Sequence, residues 1–195
     1  MPHTNSAYMI LCTCLTSFFL AWPARAEDEP RMLFQFDSPE ASRQWQTVND
    51  GVMGGRSEGR FKINDDQRME FFGTLSLENN GGFASVRSRS RNLELKPGDT
   101  LILSVRGDGR KYTMNLYPPT RRIAFSYGAD FETVKDEWVE VSLPVDAFEA
   151  TSFGRVDRDA KLDPTEIQGV GILLGDKKAG PFALEVAWIK VRSSE

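Results

Sequence analysis

Turn signals recur about every eight to twelve residues along this chain, with short alternations of apolar and polar residues between them. That cadence constrains the fold more than any other feature, because runs so short cannot supply a layer of helices. Residues 32–36, 60–63, 69–77, 83–89, 100–106 and 111–117 read as strands. Residues 122–127, 137–143, 168–174 and 182–191 bring the set to about ten. Within 111–117, Tyr112, Met114 and Leu116 share one face, as a half-buried strand requires. Gly107-Asp108-Gly109 ties that strand to the one before it as a hairpin. Helical signals are few. Ser38-Pro39 reads as the cap and first position of a short helix, 144–148 has room for one turn, and Asp163-Pro164-Thr165-Glu166 can cap another. The expectation is an all-β chain, a single antiparallel jelly-roll sandwich with one or two short helical turns. Residues 149–162 read as one long irregular loop, of the length that is often functional.

One stretch departs from the cadence: Trp45-Gln46-Thr47-Val48-Asn49-Asp50-Gly51-Val52-Met53-Gly54-Gly55-Arg56-Ser57. It combines the backbone freedom of Gly51, Gly54 and Gly55 with the apolar Val48, Val52 and Met53. Asn-Asp-Gly is a turn signal because the Asx side chains hydrogen-bond their own backbone. The expectation is a tight, partly buried turn in which Val52 and Met53 plug the core, Asp50 braces the backbone and the glycines let strands pass closely. Asn49 and Asp50 are also candidates to offer an amide and a carboxylate to a ligand hydroxyl.

The chain opens with an apolar run, 8–22, too short for a comfortable membrane span and ending in Pro23-Ala24-Arg25-Ala26. Ala24-x-Ala26 has the small-residue pattern of a signal-peptidase site. Residues 1–26 are therefore expected to be a signal peptide cleaved after Ala26, leaving 27–195 as one domain in the periplasm or outside the cell. Cys12, Cys14 and His3 all fall in the leader, so 27–195 contain neither Cys nor His. That excludes thiolate nucleophiles, Ser-His-Asp triads, Cys/His zinc sites and disulfides. A formal charge of −4 with scattered Lys and Arg gives no case for nucleic acid, and nothing in 27–195 is apolar enough to span a membrane.

Several of these motifs, taken in order, resemble the complex I intermediate-associated protein family, the thirty-kilodalton assembly factor group. The residues that carry the resemblance are Trp45 with Asn49-Asp50-Gly51-Val52-Met53-Gly54-Gly55-x-Ser57, then Gly81-Gly82-Phe83-Ala84-Ser85-Val86-Arg87, and Val105-Arg106-Gly107-Asp108-Gly109-Arg110-Lys111-Tyr112. Trp138-Val139-Glu140-Val141-x-Leu143-Pro144 and Ile172-x-Leu174-x-Asp176-x-Lys178-x-Gly180-Pro181-Phe182 continue it. The resemblance implies a galactose-binding-like jelly roll, similar to carbohydrate-binding modules, and a chaperone-like role in assembling NADH:ubiquinone oxidoreductase. Mitochondrial members carry organelle targeting, whereas the leader expected here is secretory, so a protein partner is expected in the periplasm or outside the cell. The alternative is a module binding a cell-envelope or extracellular glycan. A monomer without catalytic residues is expected.

Beyond the turn, the candidate binding residues are basic and aromatic. Arg87, Arg89 and Arg91 alternate along one strand, and Arg106, Arg110, Arg121 and Arg122 lie on neighbouring strands or turns. Together they would make a basic strip for an anionic polysaccharide, a lipid headgroup or an acidic protein patch. Tyr117, beside Pro118-Pro119, and Tyr127 are the candidates to stack on sugar rings, while Tyr112 reads as core. No cofactor or metal site is expected. Asp157, Asp159, Asp163 and Glu166 offer the hard oxygen ligands of a structural calcium ion, but without EF-hand spacing or its glycine.

Overall fold

The structure, a computed structural model, describes residues 29–120, 122 and 124–194, and for Val52 the backbone alone. The leader expected over 1–26 lies outside the described residues.

Among the described residues thirteen strands form two antiparallel sheets packed face to face. They are β1 Arg31–Gln35, β2 Trp45–Asn49, β3 Glu58–Ile63, β4 Met69–Leu75, β5 Ala84–Ser88, β6 Thr100–Arg106 and β7 Lys111–Leu116. β8 Phe125–Glu132, β9 Trp138–Pro144, β10 Glu149–Ser152, β11 Arg155–Val156, β12 Val170–Leu174 and β13 Gly180–Arg192 complete them. One sheet runs β3-β4-β13-β6-β9, with β1 also on β13; the other runs β11-β10-β8-β7-β12-β5-β2. The sheets are aligned by the period-two pattern: Met69, Phe71 and Leu75 from one meet Tyr112, Met114, Leu116, Val86 and Ile172 from the other, all fully buried. Trp45 closes one end of this core, tilted against Phe34 and Phe36 at ring separations of 4.9 and 5.9 Å.

The strands with clear alternation stand where they were expected, within a few residues at their ends, except β8, which begins three residues after the start of the expected 122–127 and runs five past its end. Two regions differ. β2 begins at Trp45, inside what reads as a turn, because five residues of 45–49 pair with β5 before the backbone bends. The stretch 149–162 opens with a hairpin: β10 pairs with β8, and β11 pairs with β10. The Ser38-Pro39 signal yields only a 3-10 turn at Ala41–Gln44, one of five such turns among the described residues, and Glu40 rather than Ser38 stands at its N-cap. Trp45 must turn into the core immediately afterwards, so a longer helix has no room.

Candidate functional site

Asp50 is fully buried where the ends of β2, β3, β4 and β5 converge. Its Oδ1 accepts from the backbone N–H of Ser57 at 2.9 Å. Its Oδ2 accepts from the Ser57 hydroxyl at 2.6 Å and from the N–H groups of Gly82 and Phe83 at 2.6 and 3.2 Å. The Ser57 hydroxyl in turn accepts from the N–H of Ser76 at 3.0 Å. One carboxylate thus ties the turn after β2 to the loop between β4 and β5. Burial pushes its carboxyl pKa up, but the hydrogen bonds from the Ser57 hydroxyl, Gly82, Ser57 and Phe83 outweigh that and hold it below the ordinary value. Two glycines make room for it. A Cβ at Gly81 would sit 2.6 Å from Oδ2, and one at Gly55 would overlap the carboxylate. Gly54 is needed for a different reason, its left-handed φ of 88°. Gly51 has open space around it and no positive φ, so the turn does not require it.

Asn49 spans the gap between sheets, donating Nδ2–H to the carbonyl of Gly59 at 3.0 Å. Its Oδ1 is buried without a protein partner among the described residues. Asp50 is wholly enclosed, and Asn49 spends its amide N–H on Gly59 with its oxygen buried, so both act as bracing groups. Met53 was expected to plug the core and instead is 52% exposed, because the turn at Asp50–Met53 carries it out past the sheet ends.

The basic strip is not formed. Arg87 lies on β5 and Arg106 on β6, in opposite sheets, because the chain crosses from one sheet to the other between Ser88 and Thr100. Arg106 is paired with Glu185, and Arg122 with Asp157 at 2.6 Å while its guanidinium covers the Phe125 ring at 4.0 Å. Arg89 donates to the carbonyl of Arg43 at 2.7 Å. Arg110 makes a buried two-pronged pair with Asp176, at 3.0 and 2.6 Å. Tyr127 is also displaced from its expected role: it is 7% exposed and donates its hydroxyl to the carbonyl of Lys161 at 2.7 Å. Alternation along β8 puts it on the core face, so it offers no surface for stacking. Tyr117 is half-buried, with the Arg87 guanidinium 5.0 Å above its ring. Two of the four acids offered to calcium are otherwise engaged. Asp157 holds Arg122, and Asp163 accepts from the N–H and hydroxyl of Thr165. Among the described residues no three metal-ligating side chains come together.

The registers show a surface that no linear motif announces. On the outer face of the seven-stranded sheet, Gln46, Arg87, Gly171, Asn115, Gly128 and Glu149 stand in one row crossing six strands. Asn115 is only 4% exposed, and its Oδ1 accepts from the Ser126 hydroxyl at 3.0 Å. The face continues onto the β10–β11 hairpin, where an open groove of about 900 Å³ is lined by Phe153, Arg155, Val156 and Arg158 among others.

A family model for complex I intermediate-associated protein 30 (CIA30) matches residues 34–186, nearly the whole sandwich. The chain belongs to this family. Against the mitochondrial complex I intermediate-associated protein 30 of Mus musculus it is 32% identical over 186 residues, covering 84% of this chain and 56% of that protein. The chain thus spans about half the length of the curated relatives it matches. Among solved structures it is similar to a family 11 carbohydrate-binding module from Clostridium thermocellum in complex with a β-1,3-1,4-mixed-linked tetrasaccharide. The TM-score is 0.62 at 12% identity, covering 85% of this chain and 96% of that one. It is also similar to part of an agarase, at a TM-score of 0.58 and 9% identity, covering 85% of this chain and 25% of the agarase. These likenesses establish the jelly-roll sandwich. The Asp50 clamp and the Arg110–Asp176 pair both lie inside the span matched to the CIA30 family.

Proposed function

We propose that this CIA30-family chain is a non-catalytic binding module that engages a protein partner through the loop end clamped by Asp50, in the periplasm or outside the cell. The clamp carries the reading. A buried carboxylate is tolerated only when its charge is met by donors, and here four of them are recruited to fix two loops. What those loops hold outward is apolar: Met53, 52% exposed, and Leu77, 46% exposed. An ion pair from Arg56 to Glu78 at 2.7 Å stands on the same two loops. Apolar side chains on a fixed backbone beside a charged pair suit a protein contact, where methionine is enriched. The curated relatives are named for association with a complex I intermediate, which supports a protein partner. Residues 27–195 hold no Cys or His, which supports a role without nucleophilic catalysis.

The test is a photo-crosslinking amino acid placed at position 53, with position 153 in the β10–β11 hairpin, somewhat more exposed, as the control. A discrete protein adduct from 53 that Leu77→Asp suppresses is the expected result. Equal yields from 53 and 153, or no discrete adduct, would overturn the reading.

A second reading, binding of an envelope or extracellular glycan, is favoured by a separate observation: the row of hydrogen-bonding side chains across the outer face of the seven-stranded sheet. The tetrasaccharide named with the family 11 module of the same fold supports it.

A further inference from the structure

Arg87 is held in a way that a solvent-facing arginine does not need. Its Nε donates to the Ser85 hydroxyl at 3.1 Å, and its plane lies over Tyr117. Ser85 is itself fully buried and donates to the carbonyl of Val48 at 2.6 Å, so the contact that orients the guanidinium is anchored to β2. Among the described residues Arg87 has no carboxylate partner, in contrast to Arg106, Arg110 and Arg122. The two terminal nitrogens, which form the fork that matches a carboxylate, make no hydrogen bond within the described protein. Stacking and the Ser85 contact have already removed much of the rotamer freedom that binding would otherwise cost.

Asn115 stands two strands away in the same row, separated from Arg87 by Gly171. Strand spacing puts the two roughly 10 Å apart. Ser126 fixes the amide oxygen of Asn115, so its Nδ2 is turned to the other side, where it has no partner among the described residues. The side chain is 4% exposed, so its orientation is fixed while this donor stays available to an acceptor on the outer face. The row ends in Gln46 on one side and Glu149 on the other, and Thr113, Ser126 and Thr151 flank it with hydroxyls. The whole row spans roughly 24 Å, from five inter-strand steps.

We infer that the outer face of the seven-stranded sheet binds a glycan containing uronic acid, with Arg87 taking the sugar carboxylate and Asn115 donating to a hydroxyl further along the chain. This rests on the second reading above and narrows it from glycans in general to acidic ones. The face favours a sugar over an acidic peptide because the groups around Arg87 and Asn115 are mainly hydroxyls and amides that match hydroxyls, the one carboxylate of the row, Glu149, standing at its far end. A Cβ at Gly171 would stand 3.0 Å from the Tyr117 ring and from the Arg87 stem, so an aromatic edge forms the floor between Arg87 and Asn115.

The experiment is affinity electrophoresis and calorimetry of residues 27–195 with polygalacturonate, with neutral mixed-linked β-glucan and with poly-glutamate. The expected result is binding to polygalacturonate alone, weakened about tenfold or more by Arg87→Gln, as the loss of a charge-assisted contact requires. Arg87→Lys should weaken it nearly as much, because a lysine keeps the charge and loses the fork. Asn115→Asp, which keeps the Ser126 hydrogen bond but sets a second carboxylate beside the sugar's, should also weaken it. Melting curves establish that each variant is folded. If the neutral glucan binds and Arg87→Gln leaves its affinity unchanged, the acidic-sugar inference falls while the glycan reading stands. If poly-glutamate binds as well as polygalacturonate, the sugar class is wrong. If none of the three binds, the inference and the glycan reading both fall.

Discussion

Asp50 shows how a single side chain can be read correctly in kind and still be underestimated. A bracing role follows from Asn-Asp-Gly alone, since Asx residues bond nearby backbone. The reach of the brace does not follow, because two of its four donors, Gly82 and Phe83, are brought in by β5 pairing with β2. Replacing Asp50 by Asn keeps the shape but turns an amide NH₂ toward N–H donors. The expected cost is about 2–4 kcal/mol in urea unfolding at neutral pH, the penalty for stranding buried donors and removing their charge. The sign of the pH effect follows from the lowered carboxyl: its contribution is whole above the unfolded value of about 3.9 and is lost as pH falls through the lower folded value. The stability gap between wild type and Asp50→Asn should therefore be full at pH 7 and shrink below about pH 4. A gap that stays constant down to pH 2 would contradict the clamp. Tyr127→Phe makes a contrasting case. It removes one hydrogen bond to Lys161 and leaves the ring in the core, so a loss of about 1 kcal/mol and unchanged binding are expected.

At the scale of elements, the legible parts were those whose own alternation decides them. β6 and β7 carry their core residues at every second position, and their boundaries can be read within a residue. β10 and β11 could not be read this way. Glu149-Ala150-Thr151-Ser152 has weak strand preference and becomes a strand by taking the free edge of β8. The basic strip failed for a related reason: a sequence shows that arginines alternate but not which sheet each strand joins, and β5 and β6 part company. Arg110 was counted in that strip and is instead a bolt between elements. From the turn before β7 it reaches Asp176, in the loop that passes from β12 in one sheet to β13 in the other. It also donates to the carbonyls of Lys178 and Pro181. Arg110→Ala strands a buried carboxylate and should cost about 3–5 kcal/mol by chemical denaturation. Arg110→Met with Asp176→Leu should recover a large part of that loss, because an apolar pair leaves no charge unmatched. If the double variant is no more stable than Arg110→Ala, the pair is more than an electrostatic bolt.

For the molecule as a whole, what holds it together is also what it lacks. No disulfide is available to residues 27–195, since both cysteines lie before them, and no helix longer than a single turn covers either sheet among the described residues. Stability must come from the one continuous core between the sheets, with Asp50 and Arg110 closing its ends. A core of that kind melts as a unit, because no strand can leave without exposing the layer it covers. Export with cleavage after Ala26 would deliver this unit into an oxidising compartment in a form indifferent to it. Purified secreted protein should therefore begin at Glu27 and show a single cooperative melting transition whose midpoint is the same with and without reductant. A chelator should leave that midpoint unmoved as well, because Asp157 and Asp163 spend their oxygens on Arg122 and Thr165. A fall of several degrees on adding chelator would mean an ion ties the 157–166 stretch to the sandwich. It would show that these carboxylates reorganise around a metal, against the side-chain pairing described here.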